Sequence, residues 1–350
     1  MKKILAFLLL IIPMNYKAIE TSATSAILMD MDTHRIMYAK NIHNVRSVAS
    51  ISKIMTAIIA IESDKLNKTV IIGDEINKAY GSGIYIKKGE KLLLIDLVYG
   101  LMLRSGNDAA ASIAHYVGKN EENFVKLMNE KAVDIGMKNT TFNNPSGLDQ
   151  DKGNYSTAYD MAILTSYAMK NKIYRKITST KEYKLNTNMN NYLWKNKNKL
   201  LKKYKYTTGG KTGFTENARR TLVTTATKDN MNLVVVTLND SNDWYDHEQL
   251  FEYGFANYKT YKILNKGKIN IYSKYYKNYN LYIKKNFNYT LSLNEKGSIK
   301  VKYKLEKYKH INNGKKIGTA YVYLGDKLIH KEKIYISKKN NTKKGIQKVW

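Results

Sequence analysis

Ser50 and Lys53 stand three residues apart in Ser50-Ile51-Ser52-Lys53, at the head of a stretch with helical apolar periodicity. On a helix that spacing puts both side chains on one face, within reach of each other. A serine hydroxyl is a weak nucleophile until a base takes its proton. A lysine can be that base once burial or a neighbouring cation lowers its pKa. Two more segments supply what such chemistry needs. Ser105-Gly106-Asn107 offers a hydroxyl for proton relay and an amide to orient a peptide. Lys211-Thr212-Gly213, followed by Phe214, offers a cation and a hydroxyl for a carboxylate, and a glycine that admits close backbone approach. Together they amount to acyl transfer through a serine ester, with lysine where other enzymes use histidine.

Singly, each segment is weak. About three Ser-x-x-Lys matches are expected by chance in so lysine-rich a chain. Ser105-Gly106-Asn107 also reads as a helix stop followed by an N-cap, and Lys211-Thr212-Gly213 as an ordinary turn. Their order and context carry the reading.

The elements around them are legible. Residues 25–31 and 36–39 read as a hairpin about the polar turn Asp32-Thr33-His34-Arg35. Ser50 is expected to open a helix carrying Ile54, Met55, Ile58 and Ile59. Helices are expected over 96–103 and 108–116, with Ser105-Gly106-Asn107 between them. Phe124, Leu127, Met128, Ala132 and Ile135 mark an amphipathic helix that stops at Gly136, and another covers 157–168. Residues 221–225 and 232–238 read as strands. Beyond Thr260 come tyrosine- and lysine-rich runs with β character at 289–293, 299–305, 317–323 and 328–336. Turns at Asn313-Gly314 and Gly325-Asp326 punctuate them. The expected organisation is a leader at 1–20, a mixed α/β domain over 21–262, a small all-β domain over 263–337 and a basic tail at 338–350.

Met1-Lys2-Lys3 and the apolar run from Ile4 to Met14 have the pattern of a secretory signal, too short to span a membrane comfortably. Cleavage near Ala18 or Ala23 and retention as an uncleaved anchor both stay open. The chain has no cysteine, which excludes thiolate catalysis, cysteine metal sites and a disulfide-stapled scaffold. No metal or cofactor is called for. The formal net charge is +30, and the last hundred residues hold 24 lysines, no arginine and five acidic residues. Such a field attracts polyanions: an anionic wall polymer or a membrane surface for an exported protein, with nucleic acid the least suited. General lysine enrichment of the chain is the competing explanation.

The three segments and their flanks resemble the serine-type D-alanyl-D-alanine carboxypeptidases, the low-molecular-weight penicillin-binding proteins. Residues 48–57 resemble that family's nucleophile helix and 81–90 its cleft-side loop, while 139–149, ending Pro145-Ser146-Gly147-Leu148-Asp149, resemble its following stretch. The resemblance implies a penicillin-binding/β-lactamase-like α/β catalytic domain with an antiparallel sheet flanked by helices. It implies Ser50 as acylated nucleophile, Lys53 as base, Ser105 as proton relay and Asn107 as peptide-orienting amide. Lys211 and Thr212 would bind a terminal carboxylate, and the N–H groups of Ser50 and Phe214 would form the oxyanion hole. The implied substrate is a peptidoglycan stem peptide ending in D-Ala-D-Ala, with β-lactams as covalent inhibitors. Three departures stand out: Thr208 where many relatives carry aspartate, the run Ala218-Arg219-Arg220, and Lys197, whose spacing to Lys211 is off by one from the family's basic position. An endopeptidase, a β-lactamase and a non-catalytic wall-binding protein remain as alternatives. The β-lactamase reading lacks a Glu-x-x-x-Asn loop between Asn107 and Lys211.

Overall fold

The computed structural model describes residues 19–149, 152–308 and 310–338. The expected leader and basic tail lie, but for their innermost residues, outside the described residues.

A five-stranded antiparallel sheet organises the larger part of the chain. Its strands lie in the order Ile36–Lys40, Ser25–Asp30, Met231–Leu238, Arg219–Lys228 and Thr207–Thr215. The first two form the expected hairpin. Ser25–Asp30 is buried at every position, because helices cover both faces of the sheet. Alternation divides its side chains: Ile27, Met29, Val234 and Val236 join the larger core, while Leu28, Leu233 and Val235 pack with Leu250 and Phe251 of the Asp243–Asn257 helix. That explains why Leu233-Val234-Val235-Val236 is unbroken by polar residues.

Five helices, α1 (Lys53–Glu62), α2 (Leu94–Arg104), α3 (Asn107–Gly118), α4 (Glu121–Ile135) and α5 (Ala158–Ala168), build the larger core. Their ends follow local chemistry. Asn120 and Thr157 accept from Asn123 N and Asp160 N as N-caps, and Gly136 closes α4 at φ 87°. One expectation is corrected. Ser50 does not open the α-helix; it sits in a 3₁₀ turn, Ala49–Ser52, and α1 begins at Lys53. The cause is Ala49 at φ 49°, which bends the chain where a regular first turn would otherwise form.

A hairpin, Glu182–Asn186 with Asn191–Lys195, was not expected from the sequence. Tyr183 anchors it, stacking on Tyr99 at 3.8 Å and donating to Asp96 Oδ1 at 2.6 Å. The β-rich remainder begins earlier than its composition suggested. The expected boundary at 262/263 falls inside the strand Tyr258–Leu264, which pairs with Phe287–Ser292. A second five-stranded sheet follows, in the order Gly267–Lys268, Tyr279–Ile283, Lys327–Lys338, Lys316–Leu324 and Ile299–Leu305. Leu281, Ile283, Ile317, Val322, Ile334 and Ile336 form its core. This part is tied to the larger one by Arg35, bidentate on Glu295 at 2.7 and 2.8 Å, and by Thr290 Oγ1 donating to buried Asp30 Oδ2 at 2.7 Å. Among the described residues no helix is long and apolar enough to cross a membrane.

Candidate active site

Lys53 is fully buried at the start of α1. Its Nζ reaches Ser50 Oγ at 3.0 Å, Asn107 Oδ1 at 2.7 Å and the Ser146 carbonyl. Burial, and then the Lys197 ammonium, push its pKa down from 10.5 to about 7, while Asp108 acts in the opposite sense. The partners decide how a neutral Lys53 is oriented. An amide oxygen and a carbonyl can only accept, so they take the two N–H donors that a neutral amine keeps. The remaining contact is the Ser50 hydroxyl, and the lone pair faces it. Ser50 itself is half-buried, open on the other side to an incoming group.

The loop Asn144–Leu148 buttresses this arrangement. Thr56 Oγ1 donates to the Pro145 carbonyl at 2.7 Å, and Asn144 Oδ1 accepts from Gly147 N at 2.6 Å. Gly147 holds φ 80° and lies so close to the Ala49 carbonyl that a Cβ would overlap it. Gly147→Ala is therefore expected to displace the Ala49–Ser52 turn, costing about 2 kcal/mol or more. A urea midpoint and acylation rate matching the parent would contradict this.

Ser105 and Lys211 face the cleft from opposite walls. Ser105 ends α2 in the left-handed region at φ 66°. Lys211, fully buried on the edge strand Thr207–Thr215, donates to Ser105 Oγ at 2.9 Å and to the Thr212 carbonyl at 2.7 Å. Burial, with Lys53 and Lys197 nearby, drives its pKa well below the ordinary lysine range. A carboxylate arriving beside it would restore the charge. Gly213 lets this strand approach the serine turn, since a Cβ there would lie 3.0 Å from Ser50 N and 3.1 Å from Ile51 N. Thr212 is half-buried and the Phe214 side chain is exposed. In the five-stranded sheet this strand is the edge, so its outer backbone groups carry no strand partner among the described residues.

All eight sequence-derived residues, Ser50, Lys53, Ser105, Asn107, Lys211, Thr212, Gly213 and Phe214, fall on this cleft or its strand edge. Sequence reasoning assigned no role to the Ser146 carbonyl, Asp108 or Asp149. Asp108 accepts from the N–H groups of Ile84 and Tyr85 at 3.0 and 2.6 Å, fixing the loop over the cleft. Asp149 ties Ser47 to Thr215 through Oδ2, at 3.3 and 2.6 Å. The turn-forming run Pro145-Ser146-Gly147 was the available signal. Lys197, off by one in spacing, nevertheless reaches the cleft, donating to Ser82 Oγ at 3.0 Å.

Histidine does not compete for the role of base here. His247 bridges Thr224 Oγ1 and Thr237 Oγ1 at 2.5 and 3.0 Å on the other face of the sheet, and burial pushes its pKa down to about 3. A cavity of about 410 Å³ adjoins Asn107 and Ser146, with Glu75 and Glu121 in its wall. Among the described residues neither carboxylate hydrogen-bonds Ser50 or Lys53.

Comparison with known proteins gives concordant findings. The family model for D-alanyl-D-alanine carboxypeptidase matches residues 13–242, and that for the penicillin-binding protein 5 C-terminal domain matches 258–342. D-alanyl-D-alanine carboxypeptidase DacF of Bacillus subtilis is 35% identical over 250 residues, 69% of this chain and 64% of its own length. DacB2 of Mycobacterium tuberculosis is 31% identical, with 67% of this chain and 82% of its own covered. Among solved structures, penicillin-binding protein 5 from Haemophilus influenzae superposes with a TM-score of 0.77 at 28% identity, covering 91% of this chain and 97% of its own.

Proposed function

The chain belongs to the D-alanyl-D-alanine carboxypeptidase family, and on that premise we propose that it removes the terminal D-alanine from peptidoglycan pentapeptide through an ester on Ser50. The observation that carries the reading is the buried Lys53, its Nζ 3.0 Å from Ser50 Oγ and its other donors held by acceptors that cannot give a proton back.

The steps follow from the contacts. Lys53 takes the Ser50 proton as Oγ attacks the penultimate carbonyl. The oxyanion forms against the N–H groups of Ser50 and Phe214. The peptide lies along the edge strand as an added strand, with Asn107 orienting its amide. Lys211 and Thr212 bind the terminal carboxylate. The proton that Lys53 took is delivered through the Ser105 hydroxyl, which gives one proton and receives one, to the amine of the departing D-alanine, and Lys53 is neutral again. Water then hydrolyses the ester, with Lys53 again as base. A β-lactam, which carries a carboxylate next to a strained amide, would acylate the same serine. The substrate lies outside the membrane, in keeping with the secretory pattern at the amino terminus.

Mass analysis of purified pentapeptide after incubation is the deciding experiment. Loss of one D-alanine supports the carboxypeptidase. Cleavage confined to cross-linked dimers would favour an endopeptidase, and unchanged peptide together with no penicillin labelling would favour a non-catalytic binding protein. Lys211→Ala is expected to raise KM about tenfold or more, the worth of a charged hydrogen bond. A substrate ending in a carboxamide should lose much less. Equal losses for both substrates would show that Lys211 does not bind the carboxylate.

A further inference from the structure

The second sheet turns one face to its core and the other to solvent, and the outward face has an unusual composition. Register assigns it: Lys300 pairs with Tyr323, Lys302 with Tyr321 and Lys304 with Thr319, while Thr319 and Tyr321 pair on the other side with Lys333 and Lys331. Tyr335 continues the face and pairs with Tyr282. The intervening residues Ala320, Val322, Ile334 and Ile336 are buried in the core. The result is a chequerboard of lysines and tyrosines.

The five lysines, Lys300, Lys302, Lys304, Lys331 and Lys333, are all exposed, and none forms an ion pair among the described residues. Three of the four carboxylates of this part are engaged elsewhere, Glu295 with Arg35, Glu306 with the Tyr308 hydroxyl and Glu332 with His330 on the inward-facing side, and the fourth, Asp326, lies in the turn at the end of the sheet and forms no ion pair among the described residues. The tyrosine rings are half-buried and lie among the ammoniums. Lys302 sits 5.3 Å from the Tyr323 centroid, Lys331 5.8 Å from Tyr321, and Lys284 3.9 Å from Tyr335. At the end of the face, one step beyond the Tyr282–Tyr335 pair, Asn280 and Ser337 open into a polar groove of about 720 Å³ completed by Asn312 and Asn313.

We propose that this face binds an extended, sugar-bearing polyphosphodiester, the ammoniums meeting its phosphates, the tyrosines stacking on sugar rings and the asparagine groove holding hydroxyls. Each part of the surface selects for part of that ligand. Alternate residues on a strand recur about every 6.7 Å and strands lie about 4.8 Å apart, so several ammoniums can meet one extended chain at once. Lysine is a point charge on a flexible stem, suited to a polymer held in many registers, whereas fixed bidentate recognition of one anion favours the arginine fork that the last hundred residues lack. A membrane is a poorer fit, because interfacial surfaces insert leucine, phenylalanine and tryptophan. Among the described residues Leu328, at the hairpin end, is the only large aliphatic side chain exposed on this face.

The test uses the whole exported chain and four probes: linear poly(glycerol phosphate) with glucosyl substituents, the same polymer bare, phosphatidylglycerol vesicles, and oligo(dT) of equal charge. Replacing Lys300, Lys302, Lys331 and Lys333 by serine should weaken binding of the glucosylated polymer at least tenfold. It should also flatten the slope of log K against log salt by about three, at roughly 0.7 per lost phosphate contact. Tyr321→Ser with Tyr335→Ser should weaken binding of the glucosylated polymer about twenty-five-fold, roughly fivefold per stacked ring, and of the bare polymer less than twofold. Unchanged penicillin acylation and melting certify the fold. If the four-fold variant fails to fold, Lys302→Glu on the edge strand carries the same comparison. Undiminished binding by a folded lysine variant would overturn the proposal, and so would tighter binding of vesicles or oligo(dT) than of the glucosylated polymer.

Discussion

Ser50→Ala is expected to abolish covalent labelling by a fluorescent penicillin and to stop D-alanine release, while leaving the fold intact. The geometry leaves no substitute nucleophile at Lys53. Ser52, the other hydroxyl of the turn, is fully buried and donates to the Ala49 carbonyl at 2.8 Å. Ser105 is the nearest rival, but its partner is Lys211 rather than Lys53. Losing a nucleophile that acts together with its base typically costs on the order of 10⁴-fold or more in turnover, and the binding groups that remain do not restore it. Stability should change by less than about 0.5 kcal/mol, because Ser50 is half-buried and the removed oxygen makes only a long 3.4 Å contact to the Ser146 carbonyl besides Lys53. Measured by labelled band intensity and intact-protein mass, the variant should show no adduct. A persisting adduct would move the nucleophile to another hydroxyl, with Ser105 the first to test.

That experiment probes the part of the site that was most legible in the sequence, and the reason is spacing. Ser50 and Lys53 meet because three residues span one turn, whether that turn is 3₁₀ or α. Ser105-Gly106-Asn107 was legible as a break between helices, and the left-handed Ser105 is that break. What the sequence did not reveal is held by long-range contact. The Ser146 carbonyl reaches Lys53 across 93 positions, and a backbone oxygen has no residue type to read. Lys197 looked misplaced because spacing was counted along the chain. In space its place is set from outside that interval, by Lys197 N donating to the Leu103 carbonyl and Nζ to Ser82 Oγ.

The fold divides similarly. Strands with one wet face, such as Ile299–Leu305 and Lys327–Lys338, alternate clearly and were found nearly to their ends. Glu182–Asn186 also alternates, with Tyr183 and Leu185 turned inward, yet its other side chains are so polar that it reads as a loop. Tyr258–Leu264 was missed because it follows the Asp243–Asn257 helix directly, with no turn residue between them. The shift in composition marks where lysine becomes dense; it does not mark where β-structure begins.

Lys53→Arg provides the second large effect, and its pH dependence separates a base from a mere structural cation. With its pKa pushed down to about 7, Lys53 is neutral above that value and protonated below it. Acylation should therefore fall about tenfold per pH unit on the acid side and level off above about 7. The same shift appears in stability. Between about 7 and 10.5 the unfolded chain holds a proton on Lys53 that the native state does not, so this contribution to stability rises with pH through that window. An arginine at this position stays charged at every working pH, which should cost about 10²- to 10⁴-fold in acylation and erase the rising limb. Lys197 then gives a control that leaves the base in place. Its ammonium is the charge that lowers Lys53 after burial itself, so Lys197→Met should move the acylation limb to higher pH and leave the plateau standing. A limb that stays put would mean that burial alone sets the base. A limb that survives in Lys53→Arg would show that another group takes the serine proton.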